Sequence, residues 1–185
     1  MIESKIEGVE FKKLDFRYDE RGFFAELIRS TDDFFEEGFG QWSMSHMYNG
    51  VIKAWHLHEK QIDWWFVASG IVRVGLCDLR PSIENDNLSA IYFDEQSHSE
   101  LSKNHRFLKD KTYISQDSNM DFLVGGTQCQ SVFRIPPGVA HGCKVIQGPV
   151  TLFYVTSEIY NTNDELRIKY DDPSIGFDWH KQVIT

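Results

Sequence analysis

Short strand-like runs divided by turn signals fill residues 41 to 78, and their even spacing constrains the fold more than any other feature. The runs are rich in aromatic and β-branched residues, and Asn49-Gly50 and Ser69-Gly70 divide them; they span 41–48, 51–58, 63–68 and 71–78. Runs of the same kind lie at 88–93, 131–135, 144–146 and 150–157. Many short strands with regular turns predict an all-β fold, a jelly-roll β-sandwich or barrel with short peripheral helices.

Domain organisation follows from length and composition. The chain has 185 residues without a break in composition, which predicts a single domain over residues 1–185. Residues 97–128 are expected to form an insertion or lid loop, because the polar stretch 94–119 has few apolar anchors. A hairpin is expected over residues 11–29, with a turn at 19–22, and a helical turn or two at 30–35. The tail from residue 164 to 179 reads as irregular.

Charge and cysteine usage exclude several classes of partner and environment. The formal net charge of -9 argues against a nucleic-acid surface, and no apolar stretch is long enough to cross a membrane. The N-terminus has no apolar signal segment, so a cytoplasmic protein is expected. Cys77, Cys129 and Cys143 fit no metal-binding spacing and are interpreted as reduced packing residues.

A pair of histidines two residues apart gives the first chemical signal. His56 and His58 share one face of a strand, Asp63 follows on the next strand, and His141 follows the Pro136–Gly138 turn. This pattern resembles the two-part motif of the cupins, with Asp63 in the usual Glu position. The resemblance implies one divalent metal held by three histidines and one carboxylate. The alternative is that these histidines are packed and hydrogen-bonded without a metal.

A second resemblance covers nearly the whole chain outside the predicted insertion. The segment 19–26 reads Asp-Glu-Arg-Gly-Phe-Phe-Ala-Glu, Gln41 lies nine residues ahead of the Gly50–His56 strand, and residues 78–80 read Asp-Leu-Arg. Residues 136–142 read Pro-Pro-Gly-Val-Ala-His-Gly, and residues 172–179 read Asp-Pro-Ser-Ile-Gly-Phe-Asp-Trp. These motifs resemble those of the dTDP-4-dehydrorhamnose 3,5-epimerases, cupins that work without a metal or other cofactor.

The resemblance implies a role for each matching residue. His56 would be the catalytic base, Asp172 its hydrogen-bond partner, and Tyr154 the acid on the opposite face of the sugar. Arg21 would contact the diphosphate of a nucleotide sugar, and the rest of the substrate site would comprise Glu26, Gln41, Lys53, His58, Asp63 and His141. The family forms homodimers in which the Arg and Glu come from the partner subunit. The implied pathway is deoxysugar biosynthesis for a surface polysaccharide such as the O-antigen of lipopolysaccharide.

Epimerisation beside a ketone explains why such residue types are needed. Removing the proton leaves charge on the carbonyl oxygen, so the site needs a base, an acid on the other face and an oxyanion partner. His56 and Tyr154 supply the first two by resemblance, but the family's Lys near the carbonyl is replaced here by Asp63. Two repairs stay open: His58 or His141 donates to the oxygen, or Asp63 and the histidines hold a metal that polarises it. Lys53, His58 and Ser43 also depart from the family pattern.

Several of these residues are also compatible with interpretations other than an epimerase site. Tyr154 lies between Phe153 and Val155 and is also compatible with a packed core residue, and Arg21 with an exposed ion pair to Glu26. A sugar 3,4-ketoisomerase would need the same proton transfers. A metal-dependent, dioxygenase-like cupin would use His56, His58, Asp63 and His141, and a binding module would keep the fold without the chemistry.

Overall fold

The computed structural model describes residues 4–80, 119–126, 130–173 and 175–181. These residues form ten strands and one short 3₁₀ helix at Asp33–Phe35. The strands are β1 Glu10–Lys13, β2 Arg17–Asp19, β3 Gly22–Phe24, β4 Gln41–Met47, β5 Ile52–His58, β6 Asp63–Asp78, β7 Asn119–Gly125, β8 Ser131–Ile135, β9 Val139–Thr156 and β10 Glu165–Arg167. The all-β prediction is confirmed.

One curled antiparallel sheet contains every described strand except the β2–β3 hairpin. Its strands follow the order β1-β8-β6-β9-β5-β10, with β4 added along β9 and β7 along β6. The two long strands β6 and β9 pair with each other and change their outer partners along their length. This exchange of partners closes the sheet around an interior, as in a jelly roll.

The two long strands correct the predicted strand boundaries. The expected runs 63–68 and 71–78 form one strand, and the expected runs 144–146 and 150–157 belong to one strand that begins at Val139. Ser69-Gly70 is therefore not a turn but part of a stretch where the register with β9 shifts. Gly70 has a φ of 76° and a Cβ there would lie 2.5 Å from the Gln147 carbonyl oxygen, so glycine allows the bulge.

The predictions for the hairpin, the insertion and the tail are each confirmed only in part. The hairpin and its turn at 19–22 are present, but its second strand ends at Phe24 instead of continuing to residue 28. Within the predicted insertion 97–128, residues 119–125 form β7 and pair with β6, so this part belongs to the sheet. Its residues 97–118 and 127–128, and the strand expected at 88–93, lie outside the described residues. The tail read as irregular contributes β10, because Glu165 to Arg167 pair with β5.

Successive side chains of β5 point to opposite faces of the sheet, and this alternation determines which of them reach the interior cavity. Trp55 and Leu57 are fully buried in an apolar cluster with Leu166 and Trp179, so His56 and His58 point to the opposite face. Fully burying each large apolar side chain contributes about 1.5–3 kcal/mol, which fixes the register of this strand. Within the described part of the chain, no helix has the length and apolar character to cross a membrane.

Candidate active site

A cavity of about 350 Å³ opens on the inner face of the sheet between β4, β5, β6, β9 and β10. Strand register explains its lining: His56 lies opposite His141, and Tyr154 lies opposite both Ser43 and Trp65. Seven of the ten predicted site residues line this cavity: Gln41, Lys53, His56, His58, Asp63, His141 and Tyr154. The fold therefore brings together residues from four separate motifs of the sequence.

His56 is held by a carboxylate that the sequence analysis did not single out. Its Nδ1 lies 3.1 Å from Oε1 of Glu165, and Arg167 binds the same oxygen at 2.7 Å. Because a carboxylate only accepts, Nδ1 carries the hydrogen and Nε2 keeps the lone pair that a base needs. Burial opposes ionisation of Glu165, but the hydrogen bonds from His56 and Arg167 outweigh it and lower the pKa of this carboxyl to about 2.

The predicted pairing of His56 with Asp172 is therefore corrected. Asp172 is buried in a turn where its carbonyl oxygen accepts from the N–H groups of Ile175 and Gly176, and it is not among the described residues that line the cavity. The physical reason is register: β10 places Glu165 and Arg167 beside His58 and His56 on the same face. The alternation of charged and apolar residues in Glu165-Leu166-Arg167 was the available signal for this strand.

Two histidines and one aspartate form a buried cluster on the cavity floor. The Nε2 atom of His141 lies 3.5 Å from Oδ2 of Asp63, and its ring stacks against that of His58 with centroids 5.4 Å apart. Asp63 also accepts hydrogen bonds from Gln61 Nε2 at 2.7 Å and Trp65 Nε1 at 3.0 Å. Burial lowers the pKa of His141 well below its usual range, although the charge of Asp63 opposes this effect.

Asp164 fixes the loop that carries part of this cluster. Its two carboxylate oxygens accept the backbone N–H groups of Glu59, Lys60 and Gln61 at 3.0, 3.0 and 3.1 Å. The loop between β5 and β6 is thereby held in one conformation, with Gln61 directed to Asp63 and within 3.3 Å of Nε2 of His58. Asp164 thus acts on the site through the backbone.

The metal set implied by the cupin motif comes together only in part. His58, Asp63 and His141 each offer a ligand atom, and these atoms lie within 4.8 Å of one another. Their nitrogen and oxygen donors suit iron, manganese or zinc, and a divalent ion held there would supply Lewis-acid polarisation of a carbonyl. The fourth predicted ligand, His56, instead hydrogen-bonds Glu165.

Polar and aromatic side chains line the part of the cavity nearer its mouth. Lys53 donates to Oγ of Ser45 at 2.7 Å, and Gln41 donates to Oγ of Ser43 at 2.8 Å. The Gln41 side-chain oxygen accepts the backbone N–H of Tyr160 at 3.0 Å, and the Tyr160 ring is exposed. Tyr160 also lines the cavity, and the sequence analysis did not identify it.

Tyr154 lines the cavity and also packs against the largest apolar cluster of the described residues. It is half-buried near the end of β9, while its neighbours Phe153 and Val155 point to the other face and line a separate apolar groove. The phenol is therefore available to a molecule bound beside His56.

Arg21 and Glu26 lie outside the cavity lining. Arg21 is exposed at the tip of the β2–β3 hairpin and binds the carboxylate of Asp19, whereas Glu26 binds Arg29. The alternative of an exposed Arg21–Glu26 ion pair is wrong, because the two side chains bind different partners.

The cysteines behave as packing residues where the structure describes them. Cys77 and Cys143 are free and buried, and burial raises the pKa of both thiols to about 12. Cys129 lies outside the described residues.

Comparison with known proteins defines the class. Residues 122–185 match the family model described as dTDP-4-dehydrorhamnose 3,5-epimerase. The spore coat polysaccharide biosynthesis protein SpsL of Bacillus subtilis is 39% identical over 96% of this chain and 98% of its own length. The probable low-salt glycan biosynthesis epimerase Agl13 of Haloferax volcanii is 31% identical over 96% of this chain and 97% of its own.

The solved structures agree on the fold. A dTDP sugar isomerase from Desulfovibrio desulfuricans superposes with a TM-score of 0.70 at 20% identity, covering 94% of this chain and 92% of its own. The fold and the site thus define a cupin-type isomerase of the sugar-epimerase class. The chain belongs to the dTDP-4-dehydrorhamnose 3,5-epimerase family.

Proposed function

We propose that this chain epimerises a nucleotide-linked 4-keto-6-deoxyhexose at C3, C5 or both, by proton transfer between His56 and Tyr154. The observation that carries the proposal is the His56–Glu165 pair, because it gives the base a defined tautomer beside a cavity that also contains Tyr154. A base and a separate acid are what inversion next to a ketone requires.

Nε2 of His56 removes the proton from the carbon beside the ketone, and ionised Glu165 stabilises the resulting imidazolium through Nδ1–H. The C–H electrons form the enolate. Tyr154 then protonates the same carbon from the other face, so the configuration changes while the ketone is restored. Both side chains return to their starting state by exchange with solvent.

Substrate binding is assigned to groups nearer the cavity mouth. Lys53 supplies positive charge for the diphosphate, Gln41 supplies an amide, and the exposed ring of Tyr160 offers a stacking surface for the nucleobase. His58, Asp63 and His141 line the floor, where the sugar would lie. No cofactor enters this mechanism.

A homodimer completes the proposed site. The β2–β3 hairpin stands apart from the main sheet, and its Tyr18, Phe23 and Phe24 are 67, 62 and 59% exposed. Aromatic side chains this exposed mark a surface that another chain covers. Docking on a second copy would carry Arg21 and Glu26 towards that copy's cavity, as the family resemblance implies.

The cellular role proposed here is cytoplasmic synthesis of a deoxysugar for a surface polysaccharide such as an O-antigen. Two relatives named for polysaccharide and glycan biosynthesis support the pathway, and two free buried cysteines suit a reducing compartment.

Solvent exchange tests the function directly. The protein is incubated in deuterium oxide with a nucleotide-linked 4-keto-6-deoxyhexose, and NMR follows deuterium at C3 and C5 together with ring configuration. Deuterium at an inverted carbon is expected. A product whose keto group has moved would instead identify a ketoisomerase, and absence of deuterium from every such sugar would reject the proposal.

A further inference from the structure

Arg167 places a positive charge beside the proposed base. It lies opposite His56 in the register of β10 and β5, and directly opposed residues of an antiparallel pair carry their side chains next to each other on one face. The Arg167 side chain lines the cavity and is 54% exposed. Its guanidinium therefore borders the space in which a sugar would lie beside His56.

Glu165 anchors this guanidinium through part of its donors. The Nε and Nη2 atoms of Arg167 lie 2.8 and 2.7 Å from Oε1 of Glu165, the same oxygen that lies against Nδ1 of His56. These contacts involve two of the five N–H groups of a guanidinium. Because more than half of the side chain is exposed, the other donors can reach a molecule in the cavity. Donors that are fixed in place before the reaction are what a developing negative charge requires.

A second cation of the cavity lies at a different level. Among the described lining residues, the lysine and arginine side chains are those of Lys53 and Arg167. Lys53 precedes His56 by three residues, across a break in the register of β5 with β9, and it donates to Oγ of Ser45. Arg167 is level with His56 itself. Of the two cations, Arg167 is thus the one placed beside the reacting carbon.

We propose that Arg167 is a catalytic residue that donates a hydrogen bond to the enolate oxygen formed during epimerisation. This inference rests on the proposed epimerase function and assigns the oxyanion partner that the function needs. A guanidinium is charged at neutral pH whatever its surroundings, so the role does not depend on the protonation state of the cavity histidines. The positive charge attracts the enolate more strongly than it attracts the neutral ketone.

Arg167 gives up no proton in this step. His56 takes the proton from carbon, the C–H electron pair becomes the carbon–carbon π bond, and the carbonyl π electrons move to oxygen. Arg167 then holds the charged oxygen by a hydrogen bond. When Tyr154 protonates the carbon, the carbon–carbon π pair forms the new C–H bond and an electron pair of the oxygen restores the ketone.

Arg167→Gln is the first test, because it removes the charge and keeps a polar side chain. We expect kcat for deuterium exchange to fall about 10²-fold with KM within about threefold, since the lost interaction is made mainly with the enolate. Arg167→Lys keeps the charge and should recover about tenfold of this loss. The matched control is Lys169→Gln, which removes one positive charge from an exposed residue that is not among the described cavity lining. The control should keep wild-type kcat and KM.

A double variant distinguishes a direct contact with the enolate from an effect through Glu165. If Arg167 acted only by holding Glu165, its loss would add nothing once that carboxylate is absent. We expect the double variant Glu165→Gln with Arg167→Gln to exchange about tenfold more slowly than Glu165→Gln alone. Equal rates for these two proteins would make Arg167 a positioning residue and overturn the proposal.

The outcomes separate this inference from the function on which it rests. If the wild-type protein exchanges no solvent deuterium into any 4-keto sugar, the epimerase function fails and the role of Arg167 fails with it. If the wild-type protein exchanges normally and Arg167→Gln stays within about threefold in kcat, the function stands and the role of Arg167 is rejected. A raised KM with unchanged kcat gives the same rejection, because Arg167 would then only bind the substrate.

Discussion

The cavity floor and the β2–β3 hairpin were both expected to serve one site, yet the fold treats them in opposite ways. The floor is buried, and its polar groups meet partners from other strands of the same chain: His56 with Glu165, and Asp63 with His141. The hairpin is exposed, and Arg21 forms an ion pair with its near neighbour Asp19. One region makes its contacts across the strands of the main sheet, whereas the described ion pairs of Arg21 and Glu26 join residues close in sequence.

The contrast shows in which part of the molecule a match to a sequence motif also predicts side-chain contacts. Strand register places residues of the floor opposite one another, so motifs far apart in the sequence converge without further help. The β2–β3 hairpin forms a sheet of its own, so strand register does not place Arg21 beside the cavity, and its proposed role requires a second copy.

The floor gives the largest expected effect. His56→Asn should lower the rate of deuterium exchange about 10³-fold or more, because it removes the proposed base. Glu165→Gln should lower this rate about 10²-fold, because the carboxylate that keeps the hydrogen on Nδ1 of His56 is lost. Asp172→Asn is the comparison and should leave kcat of the folded protein near wild type. A greater loss for Asp172→Asn than for Glu165→Gln would restore the partner implied by resemblance.

Tyr154→Phe should separate exchange from inversion. Without the phenol, His56 still removes and returns a proton on its own face, so deuterium enters while inversion falls about 10²-fold. NMR that reads both isotope content and configuration checks this outcome. An equal fall in exchange and inversion would mean that Tyr154 shapes the cavity and does not donate a proton.

Mixing two inactive variants would test whether the hairpin serves a second copy. Arg21→Ala and His56→Asn chains, refolded together in equal amounts, should recover about one quarter of wild-type activity, because half the dimers are mixed and each has one intact site. His56→Asn mixed with Tyr154→Phe is the control and should recover nothing, since both residues line the same cavity. A monomeric mass in solution, or no recovery in the first mixture, would contradict the shared site.

The smallest expected effect is on the stability of the protein in acid, and it tests only the Glu165 interactions at the cavity floor. The pKa of Glu165 is lowered from 4.5 to about 2 in the folded protein, so its stabilising contribution is fully present above about pH 4.5 and is lost as the pH falls to about 2. Glu165→Gln should remove this dependence, on the order of 2 kcal/mol, from the free energy of unfolding. Denaturant unfolding at pH 6 and pH 3 would show it, and an unchanged pH slope would show that Glu165 is not ionised against His56 and Arg167.

The sequence by itself determined the all-β class and most strand positions, because alternation and turn residues are local properties. Its resemblance to the family motifs implied seven of the residues that line the cavity. The proposed base, His56, and its cavity neighbours His141 and Tyr154 could be inferred from motifs that resemble those of the family.

Tertiary structure alone decided which groups touch. The partner of His56 is Glu165 because β10 pairs with β5, a contact between residues 109 positions apart that no local pattern encodes. The same holds for the bulge at Gly70, where a turn-like dipeptide is drawn into a continuous strand by pairing with β9. Sequence motifs indicate which residues have the chemistry for a site, and the register between distant strands determines which of these residues contact one another.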